Sequence, residues 1–144
     1  MPLATLCYAS QAAKPDHLVR EDLMDIINTA VRFNAEHQIY GVLYYGNGYF
    51  FQCLEGEREV IENLYYDHIL ADARHQKALI LKLDDIEEIQ FLSWHMKFAP
   101  YHQEIMDFFN QQGSSQFDPY ALTEKVLPEF LNILHHIEEE KASA

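Results

Sequence analysis

The sequence holds 144 residues, 49% of them apolar and 13% aromatic, which suits a globular core rather than a disordered chain. Ten Lys and Arg stand against 23 Asp and Glu, and the formal charge of −13 disfavours direct binding to nucleic acid or to an anionic membrane surface. No apolar run approaches the roughly 20 residues that span a bilayer, and the amino-terminal MPLATLCYAS lacks a basic region and a small-residue cleavage site, so a cytoplasmic protein is expected.

The first element, LATLCYAS (3–10), is short and apolar and predicts a strand, closed by the polar loop QAAKPDH. EDLMDIINTAVRFNAEH (21–37) places Leu23, Ile26, Ile27, Ala30 and Val31 at helical spacing. IYGVLYYG and YFFQCLEG flank Asn47-Gly48, the strongest short hairpin signal. EREVIENLYYDHILAD (57–72) predicts a second amphipathic helix, with acidic residues in the first turn where the helix dipole favours them. ALILKL (78–83) and SWHMKFA (93–99) predict two further strands.

The order β-α-β-β-α-β-β is an α+β, ferredoxin-like arrangement with a five-stranded mixed sheet. Right-handed crossovers place both helices on one face. Residues 101–144 are expected to cover the other, as a helical extension on a domain spanning 1–100. HQEIMDFFNQQG reads as a short helix ending at Gly113. After the loop SSQFDPY, the residues Leu127, Phe130, Leu131, Leu134 and Ile137 form the apolar stripe of a last helix, with Pro128 near its start.

Strand alternation then sorts the polar residues. Phe50, Gln52 and Leu54 share one face, opposite Phe51 and Cys53; Leu6 and Tyr8 share a face, opposite Thr5, Cys7 and Ala9. In the last strand, Trp94, Met96 and Phe98 oppose Ser93, His95 and Lys97, which directs His95 towards the carboxy-terminal helices. Asn34 continues the first helix's stripe four residues after Ala30 and seven after Ile27, so a second amide enters the layer that holds Gln52. Each unmatched group of a buried amide costs about 1–3 kcal/mol. A phenol, two amides and a Trp-x-Met pair in one layer therefore suggest a planar, polar-edged aromatic ligand, such as an isoalloxazine ring between aliphatic walls like Ile26 and Ile69. Cys7 and Cys53 lack CxxC spacing and read as reduced, buried thiols.

Together, LCYAS with Tyr8, RFN with Asn34, GYFFQCLEGE with Gln52, DARH at 72–75 and WHMKF at 94–98 resemble the BLUF domains, blue-light sensors that use flavin. The resemblance covers roughly residues 3–100, and the tail resembles the two-helix extension of stand-alone members, which lack a fused output enzyme. It implies noncovalent FAD, or FMN as in some members, with Tyr8 as electron and proton donor and Gln52 as the amide that rearranges between Tyr8 and flavin. It further implies Asn34 on the flavin's polar edge, Ile26 and Ile69 as walls, Arg74 and His75 towards the ribityl and phosphate side, and Trp94 and Met96 as the coupling to the last strand. Three departures stand out: Phe33 where a polar residue is frequent, one extra residue around LYYDHI with His68 at a usually basic position, and His95 between Trp94 and Met96.

Three other readings compete. An acylphosphatase-like hydrolase uses the same scaffold, but no Gly-rich phosphate cradle is present and Arg32 lies off the Asn34 stripe. A metal-binding module would draw on the eight His, yet only His135 and His136 are adjacent, and neighbouring helical residues diverge by about 100°. The third is a flavin-free interaction module. A domain without an enzyme signals by engaging a downstream protein or by altering its own assembly as a homo-oligomer, and Glu138, Glu139 and Glu140 favour a basic partner.

Overall fold

A computed structural model describes residues 2–139. The strands are β1 (Leu3–Ala12), β2 (Tyr40–Gly46), β3 (Tyr49–Glu57), β4 (His75–Ile86) and β5 (Lys97–Ala99). The α-helices are α1 (Asp16–His37), α2 (Arg58–Leu64), α3 (Gln103–Gln111) and α4 (Leu127–His136). The sheet runs β4-β1-β3-β2-β5, antiparallel throughout except for the parallel β2–β5 edge. This is the expected five-stranded mixed sheet of a ferredoxin-like fold.

The hairpin forms where the dipeptide places it, with Asn47 at φ 52° and Gly48 at φ 81°, the left-handed pair that matches the twist of the flanking strands. Gly41 is required for a different reason. A Cβ there would lie 1.9 Å from the Cys53 carbonyl oxygen, so only a bare backbone lets β2 approach β3.

Each face of the sheet carries its own core. Leu6, Tyr8, Leu43, Phe50 and Leu54 meet Val19, Leu23 and Ile27 of α1 and Ile61 of α2. Cys7, Val42, Tyr44, Phe51 and Cys53 meet the tail, where Phe108, Phe109, Phe117, Phe130 and Leu134 are buried. Removing each such phenylalanine from water contributes about 1.5–3 kcal/mol. The tail therefore covers an apolar face that would otherwise be exposed.

Four local expectations are corrected. Helix α1 starts at Asp16, not 21, because Pro15 holds the extended conformation before it and Val19 adds a buried first-turn anchor. Val31 is exposed and does not belong to the α1 core stripe. The second helix is α-helical only to Leu64 and continues as a π-turn over Tyr65–Ile69, which absorbs one extra residue. The last strand is only Lys97–Ala99; Ser93 to Met96 form a bend, so strand alternation does not govern their side chains.

That bend is tied down from below. Glu55 is buried, and its Oε1 accepts hydrogen bonds from the Gln90 and Phe91 amides at 2.9 and 2.8 Å. Phe91 is thereby fixed in the tail-side core.

Candidate functional site

Tyr8 and Gln52 stand directly opposite each other in the β1–β3 register, on the face covered by α1 and α2. The Tyr8 hydroxyl donates a hydrogen bond to Gln52 Oε1. Gln52 Nε2 lies 3.5 Å from Met96 Sδ, a weak acceptor, so this end of the amide is held loosely. Burial, then the Tyr65 and Asp72 charges, push the Tyr8 phenol far above its ordinary pKa of 10.0, and it stays protonated.

A cavity of about 390 Å³ opens beside this pair, between α1, the π-turn and the sheet. Ile26, Ala30 and Phe33 of α1 line one side, and Leu64 and Ile69 the other. Asn34, Gln52 and Thr29 give it polar character, and Asp67, His68, Asp72, Arg74 and His75 also line it. Asn34 is buried; its Nδ2 donates to the His95 carbonyl at 2.7 Å.

Two contacts position the far side. Arg74 grips the Asp72 carboxylate through Nε at 2.9 and 3.1 Å and through Nη2 at 2.6 Å. The Arg74 side chain holds the Asp72 carboxyl below its ordinary range, and Asp72 in turn raises Arg74. His75 Nε2 lies 2.6 Å from the Ile69 carbonyl, which can only accept, so Nε2 carries a proton. Nδ1 contacts Ser10 Oγ at 2.7 Å. His75 thus ties the end of the π-turn, where Ile69 sits, to β1.

Of the residues singled out in the sequence, Tyr8, Ile26, Asn34, Gln52, Ile69, Arg74 and His75 converge on this cavity, and Met96 reaches Gln52. Trp94 does not share their face, contrary to the alternation argument. Its ring packs on the tail side, with Phe91 at 6.3 Å and His135 at 5.5 Å between centroids. His95 keeps to the side away from the cavity, as alternation placed it: its ring stacks on Tyr40, which packs against the tail-side core, and Nδ1 lies 2.9 Å from the Ile39 carbonyl. Thr29 was absent from the sequence-derived set; Phe33, noted there as a departure, does line the cavity, seven residues after Ile26 and on the same helical face. Among the described residues no group of His, Cys, Asp and Glu is placed to hold a metal ion.

The donor set fits a flavin. Aliphatic and aromatic walls suit the ring's faces, two inward amides suit its polar edge, and the Met96 sulfur leaves Gln52 free to bond a better acceptor.

Comparison with known proteins agrees. Residues 3–97 match the family model described as BLUF, sensors of blue-light using FAD. The photoactivated adenylate cyclase subunit beta of Euglena longa is 43% identical over 86 residues, covering 60% of this chain and 10% of that protein. The chain therefore spans about a tenth of the length of such curated relatives. The ground-state structure of BlsA is 39% identical with a TM-score of 0.93, covering 99% of this chain and 93% of that one. The photo-activated BlsA structure is 40% identical with a TM-score of 0.91, covering 96% of this chain and 99% of that one. The match over residues 3–97, together with the Tyr8–Gln52 pair at the cavity, shows that the chain belongs to the BLUF family of blue-light sensors that use flavin.

Proposed function

We propose that this chain is a cytoplasmic blue-light photoreceptor with FAD as its chromophore and Tyr8, Gln52 and Met96 as its switch. The observation that carries the reading is the buried Tyr8–Gln52 hydrogen bond at the edge of the cavity. When bound, the flavin supplies absorption of blue light and an excited-state acceptor for an electron and a proton. Burial keeps Tyr8 protonated, so its hydroxyl would be the source of both. Its proton lies in the hydrogen bond to Gln52, so the amide feels the change first.

Gln52 would be the group to rotate or tautomerise, because its Nε2 meets only the Met96 thioether. The rearranged amide would then be free to hydrogen-bond the flavin edge. Ile26, Ile69, Asn34, Arg74 and His75 line the cavity; Ile26 and Ile69 would wall the ring, Asn34 would hold its polar edge, and Arg74 and His75 would serve the ribityl and phosphate side. Cys53 follows Gln52 but faces the tail-side core, as does Cys7, so no thiol enters the cavity to form an adduct.

Output runs through the bend that carries Met96. Trp94, two residues before Met96, packs against His135 of α4, and Lys97, one residue after, donates to the His135 carbonyl at 2.8 Å. A change at Met96 is passed by these two residues to a 101–144 extension that a protein partner reads. Glu138 and Glu139 at its acidic end select a basic partner, while Glu140 lies outside the described residues.

Light-minus-dark absorption tests the reading. Protein expressed with ample flavin should shift reversibly to longer wavelength, and mass spectrometry of the extracted flavin should identify FAD rather than FMN. Tyr8→Phe and Gln52→Leu should each fold and hold flavin yet lose the shift. A normal photocycle in either variant, or a bleach that signals a thiol adduct, refutes the assignment.

A further inference from the structure

Behind the switch pair lie both cysteines of the chain. Cys7 and Cys53 are directly opposed in the β1–β3 register, one step from Tyr8 and Gln52. Directly opposed residues of an antiparallel pair project from the same face with Cα atoms about 4.5–5.5 Å apart. That separation lies within the roughly 4.4–6.8 Å that a disulfide bridges. Both thiols are free and fully buried. Thr5 Oγ1 lies 3.4 Å from Cys53 Sγ. The sequence spacing, 46 positions apart, conceals a contact that the sheet register creates.

We propose that Cys7 and Cys53 are a redox-modifiable pair, an inducible cross-strand disulfide that fixes β1 to β3 beside Tyr8 and Gln52. Closure breaks two S–H bonds and forms one S–S bond, releasing two electrons and two protons. A small disulfide of the glutathione type accepts them, its S–S bond breaking to give two thiols. In the first step one protein sulfur attacks that disulfide and releases one small thiol; in the second the other protein sulfur attacks the mixed disulfide and releases the second.

The Cys7 thiol contact and burial hold the Cys53 thiol well above its ordinary range, which slows any attack while the sheet is closed. Oxidation is therefore expected on the timescale of strand opening. It records a sustained oxidising condition rather than a brief pulse. Its structural effect is local, because the bridge links the two strands that carry the Tyr8–Gln52 hydrogen bond. The proposal stands independently of flavin and light.

The test incubates the full chain in the dark with glutathione redox buffers of increasing oxidised fraction. Free thiols are then trapped by acid alkylation and the peptides mapped by mass spectrometry. The expected product is one intramolecular Cys7–Cys53 linkage in monomeric protein, reversed by dithiothreitol and titrating as a two-electron couple. Cys7→Ser should give no intramolecular linkage. Should that variant fail to fold, wild-type chain refolded from urea in the same buffers gives the same readout, and the same linkage should dominate. The proposal is overturned if both thiols remain alkylatable in every buffer after folding and after refolding. Separate glutathione adducts on each cysteine, or links only between chains, overturn it equally.

Discussion

Gln52 is a primary amide in a strand of aromatic and aliphatic side chains, and its two ends are satisfied unequally. Oε1 takes the Tyr8 hydroxyl, whereas Nε2 has a sulfur. Asn34 has a firmer arrangement, bonded to the backbone of the bend at His95, and so acts as a fixed edge rather than a moving part. Asn34→Ala should therefore keep the light-induced shift but weaken flavin binding by about 1–3 kcal/mol, read by titrating apoprotein with flavin. Unchanged affinity would remove Asn34 from the site. Glu55 carries a separate prediction. Burial raises its carboxyl above the ordinary 4.5, although the Phe91 and Gln90 amides pull the other way. The native state then binds the proton more tightly than the unfolded state. Its ionisation costs stability as pH rises from below 4.5 through the folded pKa. Glu55→Gln keeps an acceptor for both amides without the charge, so its stability relative to wild type should increase across that interval in urea unfolding. A difference independent of pH would contradict the buried-charge account.

The elements divide into those that local pattern determines and those that tertiary contacts override. Lys97 shows the second kind: its ammonium is buried, lies 4.2 Å from the Trp94 ring centroid, and donates to the end of α4. Burial lowers its pKa, with Glu139 opposing. In Lys97→Met the lost charged hydrogen bond, about 1.5–3 kcal/mol, is offset because an ammonium no longer has to be buried. Global stability should change little while the last turn of α4 exchanges its amide hydrogens faster; equal exchange would rule out the anchor. The hairpin, both helix-bearing crossovers and the opposite faces of Gln52 and Cys53 were legible in the sequence, because Asn47-Gly48 and a period of two leave few alternatives. Trp94 was not. Its side depends on where β5 begins, and that depends on Glu55 holding the Gln90 and Phe91 amides, a contact between segments 35 and 36 residues apart. The π-turn left a trace, the extra residue around LYYDHI, but nothing in its periodicity told how the helix absorbs it. Cys7 and Cys53 meet only through the register of the sheet.

At the scale of the whole molecule, one sheet separates two cores, with the flavin cavity in one and the tail helices in the other. The bend from Ser93 to Met96 touches both, since Met96 meets Gln52 while Trp94 meets His135. The formal charge of −13 would favour a basic partner over an acidic one. Under the proposed function, rearrangement of Gln52 on one face loosens the tail on the other. Hydrogen exchange followed by mass spectrometry in darkness and under blue light measures this directly. Light should speed exchange in 97–99 and in α3 and α4, and the Gln52→Leu variant should show no such change. Protection that is identical in light and dark throughout residues 93–139, in protein that still shows the reversible absorption shift, would contradict it.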